Sequence, residues 1–292
     1  MKGRVLSVLV ALALVAGCGG TQVLEARPRL GVQDNGNAGS AGPVLLAVRP
    51  PPGLQLRTTS EARGDATFLG QQMHLEYIAT EERAVLERRP DGTTVMSSRR
   101  TGGSMRMVVG DRPREEALEP EPSPSTWVMD ARGRSIDDAM FAAPTGGAER
   151  SEILRRLLDP LLDAIAYPDH AVAIGERWQA QGTQALSEAD ARGTVRYALT
   201  QELVRVEGSG ATAVAFVAFR GEISGEGGIE AGPVTGALRF EGAYTVGVDD
   251  GLVRSMQTRL DGSVSLGGDG SAARPPGLLD VPFRGELRYR AE

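Results

Sequence analysis

The chain has 292 residues and a formal net charge of −6, with 38 acidic against 32 basic residues. That length suits one large or two small domains. The acidic balance, with no basic patch interleaved with aromatics, argues against nucleic acid as a partner. A single cysteine excludes an internal disulfide, and aromatics at 4% leave most of the core to Leu, Val and Ala.

The N-terminus opens with Lys2 and Arg4, followed by an apolar run from Val5 to Ala16 broken only by Ser7. A membrane-spanning helix needs ~20 apolar residues, so this run is too short to span. A basic start, a short apolar run and small residues at its end read as a secretory leader over residues 1–17. Those small residues lead into a cysteine, and Val15-Ala16-Gly17-Cys18 resembles the lipobox of bacterial lipoproteins. The resemblance implies cleavage between Gly17 and Cys18, acylation of the Cys18 sulfur, and commonly of the new amine. One acyl chain holds a membrane marginally, whereas two or more anchor stably. Gly19 and Gly20 follow, without the Asp that resembles an inner-membrane retention signal in enteric bacteria. The expected location is therefore the outer membrane, facing the periplasm.

Residues 18–43 include the glycine-rich, polar stretch Gln33 to Gly42 and read as a flexible tether. No Gly-Lys-Ser/Thr follows it, so it is not a phosphate loop. The body, 44–292, begins with apolar Val44 to Val48 and a stop at Pro50-Pro51-Pro52-Gly53. Alternation at Leu54 and Leu56, at Met73, Leu75 and Tyr77, and at Met105, Met107 and Val109 predicts half-buried strands. Thr80 to Arg89 reads as a strand ending in a turn at Pro90-Asp91-Gly92. Residues 112–125, charged and then proline-rich at Pro120, Pro122 and Pro124, predict an exposed loop before a strand at Trp127 to Met129.

Ile153, Leu154, Leu157, Leu158, Leu161, Leu162 and Ile165 lie on one stripe at helical spacing. They predict a helix over 149–166, broken at Pro160 and packed on one face of the sheet. From Glu176 onward, long β segments joined by glycine turns at Gly208-Ser209-Gly210 and Asp249-Asp250-Gly251 predict an antiparallel meander. Gly236, Gly242, Gly247 and Gly262 inside those segments predict strong curvature. The fold class expected is mainly β with one helical segment. The spacing also allows two similar halves, 44–140 and 175–290, around the helix.

Candidate chemistry is sparse. His74 and His170 are the only histidines and Cys18 belongs to the anchor, so no metal cluster, cofactor fingerprint or thiol nucleophile is assembled. No Gly-x-Ser-x-Gly elbow occurs. Asp249, Asp250 and Asp269 read as turn residues, and Trp127 and Trp178 as core. Paired carboxylates stay open, since 38 acidic residues offer many pairs that sequence cannot place.

The leader with its lipobox, the early strands, Gly175-Glu176-Arg177-Trp178 and the C-terminal meander together resemble a family of bacterial lipoproteins of unknown function. The plan is also similar to LolA-like lipid carriers, whose curved sheet encloses acyl chains; that resemblance is at fold level only and sets no function. The function expected is a non-enzymatic, lipid-anchored binding or carrier module for an apolar ligand. An envelope scaffold and a carboxylate-dependent hydrolase are the alternatives. Its partners would be the membrane, through lipid on Cys18, and an apolar ligand or an envelope protein. Cys18→Ser is expected to abolish incorporation of labelled palmitate; unchanged labelling would remove the anchor assignment.

Overall fold

The computed structural model describes residues 42–68, 70–136, 165–188, 191–229, 232–267 and 278–292. Period-two alternation places β-branched, aromatic and methionine side chains on one face of nearly every segment. The result is a single antiparallel sheet of eleven strands. The strands are β1 (Gln55–Phe68), β2 (Gln71–Arg88), β3 (Thr94–Val109), β4 (Arg112–Ala117), β5 (Ser125–Met129) and β6 (Arg177–Glu188). They continue with β7 (Ala191–Glu207), β8 (Val214–Ile229), β9 (Gly232–Gly247), β10 (Val253–Gly267) and β11 (Leu278–Ala291). Their order is β4-β3-β2-β1-β11-β10-β9-β8-β7-β6, with β5 paired to the part of β3 that β4 leaves free. β1 pairs with β11, so the first and last strands of the body meet at the middle of the sheet. The loop expected over 112–125 is corrected in its first half: Arg112–Ala117 form β4 against β3, exposed along its length. The repeated Pro120, Pro122 and Pro124 come only after it, and β4 is an edge strand, where Pro113 is tolerated.

The expected α+β architecture, with a helix over 149–166 packed on the sheet, is corrected. Among the described residues the fold is almost entirely strand, and its only helical turn is a single 3-10 turn at Gly210–Thr212. Residues 149–164 lie outside the described residues. Ile165 and Ala166, at the end of the predicted helix, belong to none. The Ala166 carbonyl accepts hydrogen bonds from Trp178 Nε1 at 2.9 Å and Gln201 Nε2 at 3.1 Å, two side chains of the sheet. Apolar spacing shows that a segment wants burial on one side; it does not show that the backbone is satisfied internally.

Register is written on the outer face. The triplets Arg63-Gly64-Asp65, Arg220-Gly221-Glu222, Arg239-Phe240-Glu241, Arg259-Leu260-Asp261 and Arg284-Gly285-Glu286 recur on five strands, with His74-Leu75-Glu76 on β2. Antiparallel pairing sets each basic end opposite an acidic one. One row runs Arg106, Glu76, Arg63, Glu286, Arg259, Glu241, Arg220 from β3 to β8. The next runs His74, Asp65, Arg284, Asp261, Arg239, Glu222 from β2 to β8. Charges alternate both across and along the strands. Arg284 pairs Asp261 at 2.9 Å, His74 pairs Asp65 at 2.8 Å, and Arg63 lies 3.8 Å from Glu76.

The triplet centres face inward, where space is set by glycine. Phe219 stands opposite Gly242, Phe240 opposite Gly221, Phe283 and Leu238 opposite Gly262, and Tyr197 opposite Gly182. A Cβ on Gly242 would strike the backbone carbonyl of Gln257 and the Phe219 ring, and one on Gly221 would strike the Phe240 ring. Rings laid over cross-strand glycines let the sheet bend tightly while still covering the backbone.

One end of the curved sheet is filled by two extended segments. Val44 and Val172 exchange both backbone hydrogen bonds, Val48 donates to Ala131 O, and Arg49 N donates to Asp250 O. Leu46, Val48, Tyr167 and Val172 are almost wholly buried, in one cluster with Leu203, Val217, Tyr244 and Leu287 from the sheet. The sheet is expected to depend on its charge rows for pairing. Arg284→Asp should cost about 1 kcal/mol in urea unfolding, and adding Asp261→Arg should recover part of it. Simple additivity of the two changes would mean the rows do not set pairing.

Candidate functional site

The inner face divides into two zones. Toward the filled end it carries a buried polar chain. The Tyr244 hydroxyl donates to Gln201 Oε1 at 2.8 Å, and Gln201 and Trp178 both donate to Ala166 O. The Tyr167 hydroxyl donates to Gly251 O at 2.9 Å, and Arg132 Nε donates to Tyr167 O at 2.7 Å. Burial pushes both tyrosine hydroxyls above their ordinary range, so they act as neutral donors and not as acids near neutral pH. Each donor meets a backbone or amide acceptor, so the arrangement fastens the segment 165–167 and leaves no free reactive group there.

Away from that end, the inner face is greasy and pliable. Met73, Leu75 and Met105, with half-buried Met107 and Val109, come from β2 and β3; Val281 and Phe283 come from β11, and Leu238, Phe240 and Ile223 from β9 and β8. Methionine adapts its shape to irregular apolar surfaces at low cost. These side chains pack on one another in the same buried cluster.

On β2 and β3, beyond the row that holds Ala79 and Tyr244, the inner face carries an ionic cluster. Glu81 Oε2 accepts from Arg83 Nη2 at 3.0 Å and from Ser98 Oγ at 2.9 Å. The Arg83 guanidinium sits over the rings of Trp127 and Tyr289, 5.8 and 5.5 Å from their centres. Arg100, beside it on β3, is held by Glu119 O and by the Glu121 carboxylate. Pairing and hydrogen bonding offset much of the cost of bringing these charges inside. Sequence reading did not single these residues out. The available signal is that Glu81 and Arg83 continue the inward phase set by Tyr77 and Ala79.

The residues flagged from sequence fall elsewhere. Gly17 and Cys18 lie outside the described residues, as does Asp269. His74 is on the outer face in the charge rows. His170 is exposed in the loop before β6, where Nε2 meets Glu176 at 2.7 Å and Nδ1 meets Asp169 at 3.1 Å. The two histidines are not brought together, and among the described residues no group of His, Cys, Asp or Glu is placed to hold a metal ion. Trp127 and Trp178 are buried, and Asp249-Asp250-Gly251 forms a turn in which Gly251 takes φ +69. Asp250 accepts from Leu252 N and pairs with Arg254. The proline segment is exposed outside the strands, as expected, and is tied to β3: Glu121 N donates to Arg100 O, and Arg100 N donates to the Glu121 carboxylate.

No family model matches the chain, and no curated protein matches it. Among solved structures it is similar to the translocator domain of the autotransporter NalP from Neisseria meningitidis. Identity there is 9%, over 82% of this chain and 88% of that one, with a TM-score of 0.23. An outer-membrane channel from Pseudomonas putida F1 is 13% identical over 84% of this chain and 97% of that one, with a TM-score of 0.25. DynF from the dynemicin biosynthesis pathway of Micromonospora chersina is 7% identical over 94% of each chain, with a TM-score of 0.20. TM-scores this low do not establish a common fold. Membrane barrels show lipid an apolar outer band; here the outer face carries the rows of Arg, Asp and Glu and the apolar side chains point inward.

Hydrogen bonds donated to Glu176 and then to Asp169 hold the His170 pKa above its ordinary value, while both carboxylates are held below theirs. A raised histidine pKa contributes stability that is complete below the unfolded value of ~6.5 and is lost as pH rises through the folded one. His170→Gln is therefore expected to lower Tm relative to the parent at about pH 5.5, with the gap closing above the folded pKa. A gap independent of pH would show that charge on His170 is not the cause.

Proposed function

We propose that this protein is a lipid-anchored cell-envelope lipoprotein, held by acyl chains on Cys18 and facing the periplasm from the outer membrane, whose β body binds or carries an apolar ligand. The observation that supports this is the one-sidedness of the sheet. Its outer face is an alternating field of charges suited to water, and its inner face gathers Met73, Met105, Met107, Leu75, Leu238, Phe240 and Phe283. A surface of that kind, closed at one end by hydrogen-bonded chain, suits an acyl chain or another elongated apolar molecule. Among the described residues its methionine-rich part offers dispersion and desolvation and carries no acid, base or nucleophile, which fits binding without turnover.

The scaffold alternative draws on the exposed proline loop at 119–124, which Glu121 ties to β3. The hydrolase reading needs an acidic pair in a cleft. Glu81 and Glu121 on the inner face are each bonded to arginine.

Native mass spectrometry of the full-length protein, extracted from cells in mild detergent, is expected to show a bound apolar mass beyond the anchor. A fluorescent fatty acid should bind and be displaced by palmitate. Met107→Asp and Leu75→Asp are expected to weaken it about tenfold, since each places a charge against the ligand. Absence of any apolar ligand in both measurements would rule out the carrier reading.

A further inference from the structure

Toward the filled end the two charge rows give way, first to a row of Ile78, Glu61, Arg288, Gln257 and Ala243 and then to hydroxyls. Nearer the filled end, one row runs Thr80, Thr59, Arg290, Ser255, Thr245 across β2, β1, β11, β10 and β9. Arginines of the charge rows face carboxylates; Arg290 has hydroxyl side chains on both sides. The last two members of the row, Thr245 and Ser255, hydrogen-bond each other at 2.7 Å. Arg57 enters from the row beneath. Its cross-strand neighbour Glu82 is taken by Arg99 at 2.7 Å. Arg57, Thr59, Thr80, Arg290 and Glu292 line a hollow of about 220 Å³. Among the described residues neither guanidinium has an ion-pair partner. Glu292 is the carboxylate on the rim, and its backbone exchanges both hydrogen bonds with Arg57 at 2.9 Å.

We propose that this hollow binds a phosphate group. Two guanidinium forks and two hydroxyls offer more donors than the two oxygens of a carboxylate can use, and they match an anion with three or four oxygens. Arginine presents its donors in a fixed plane suited to bidentate contact with phosphate. The chain as a whole is acidic, so attraction is confined to this spot and is not a property of the surface at large. The phosphate arrives either on a soluble molecule or on an anionic phospholipid headgroup. The site is independent of what the inner face holds.

Isothermal titration calorimetry of the full-length protein tests this with two probes: inorganic pyrophosphate, and dihexanoyl phosphatidylglycerol below its micellar concentration. Saturable binding is expected for at least one. Arg290→Gln and Arg57→Gln should each weaken it about tenfold, as the loss of a charge-assisted pair does. Glu292→Gln should tighten it about threefold by removing a like charge. Arg288→Gln, whose arginine is paired with Glu286, should leave it unchanged. Binding of pyrophosphate alone assigns a soluble phosphate, and binding of the phospholipid assigns a headgroup. Saturable binding of neither probe overturns the proposal. So does a folded Arg57→Gln/Arg290→Gln protein that binds like the parent. Should that double variant fail to fold, a Glu292→Gln protein that binds no tighter than the parent overturns it equally.

Discussion

A long antiparallel sheet faces two kinds of register error, and this chain opposes each with a different interaction. A slip of one residue turns every inward side chain to water, so the hydrophobic pattern alone forbids it. A slip of two residues keeps the same side chains inward and is invisible to that pattern. It would set Arg63 beside Arg284 and Glu61 beside Glu286. The alternating triplets convert the silent error into a set of like-charge contacts. Each exposed pair contributes only a few tenths of a kcal/mol to about 1 kcal/mol, but the rows run from β2 to β8 and their effects point the same way.

The glycine positions enforce the same register from the other side. Phe219 and Phe240 lie over Gly242 and Gly221 reciprocally, with ring centres 6.0 Å apart. A two-residue shift would put a ring against a side chain, and Gly242 and Gly221 have no room for one. Curvature and register are thus one constraint. The glycines that let the sheet bend are useful only where a neighbouring ring covers them, and the charges outside decide which strand positions meet. The hydrogen bonds of Ala166, Tyr167 and Val172 then need a sheet already curved, because their donors and acceptors come from β6, β7, the β9–β10 turn and the first segment of the body.

The strand character of the body was legible in the chain, and so were the glycine turns after β7 and β9, because period-two alternation at Met73, Leu75 and Tyr77 has a local cause. Trp127 and Trp178 were legible as core for the same reason. The helix packed on the sheet was misjudged. Apolar spacing from Ile153 to Ile165 speaks only for a one-sided pattern and not for how a backbone is satisfied. Of the expected helix, Ile165 and Ala166 are described, and the Ala166 carbonyl is met by side chains of β6 and β7. The Arg-x-acid triplets are visible in the sequence once the antiparallel partner is known. Without the partner, each reads as ordinary surface polarity. The inner-face ions carried a fainter mark, two charges at 81 and 83 continuing the phase set by Tyr77 and Ala79.

The placement of charge also bears on which face meets what. A sheet that turned its apolar side to lipid would need its polar groups inside. Here Arg63, Arg259 and Arg284 stand outside, 62%, 72% and 85% exposed, and desolvating such a lattice would cost several kcal/mol per ion. The outer face is therefore built for water. Within it, the row through Arg290 is the exception, since a hydroxyl neighbour neither repels nor neutralises a guanidinium. Among the described residues Arg290 has no ion-pair partner, and such an arginine adds nothing to register; the proposed phosphate site rests on that charge. One sheet thus combines pairing by the charge rows with filling by the inner aromatics and methionines, and the proposed recognition falls where the rows give way to hydroxyls.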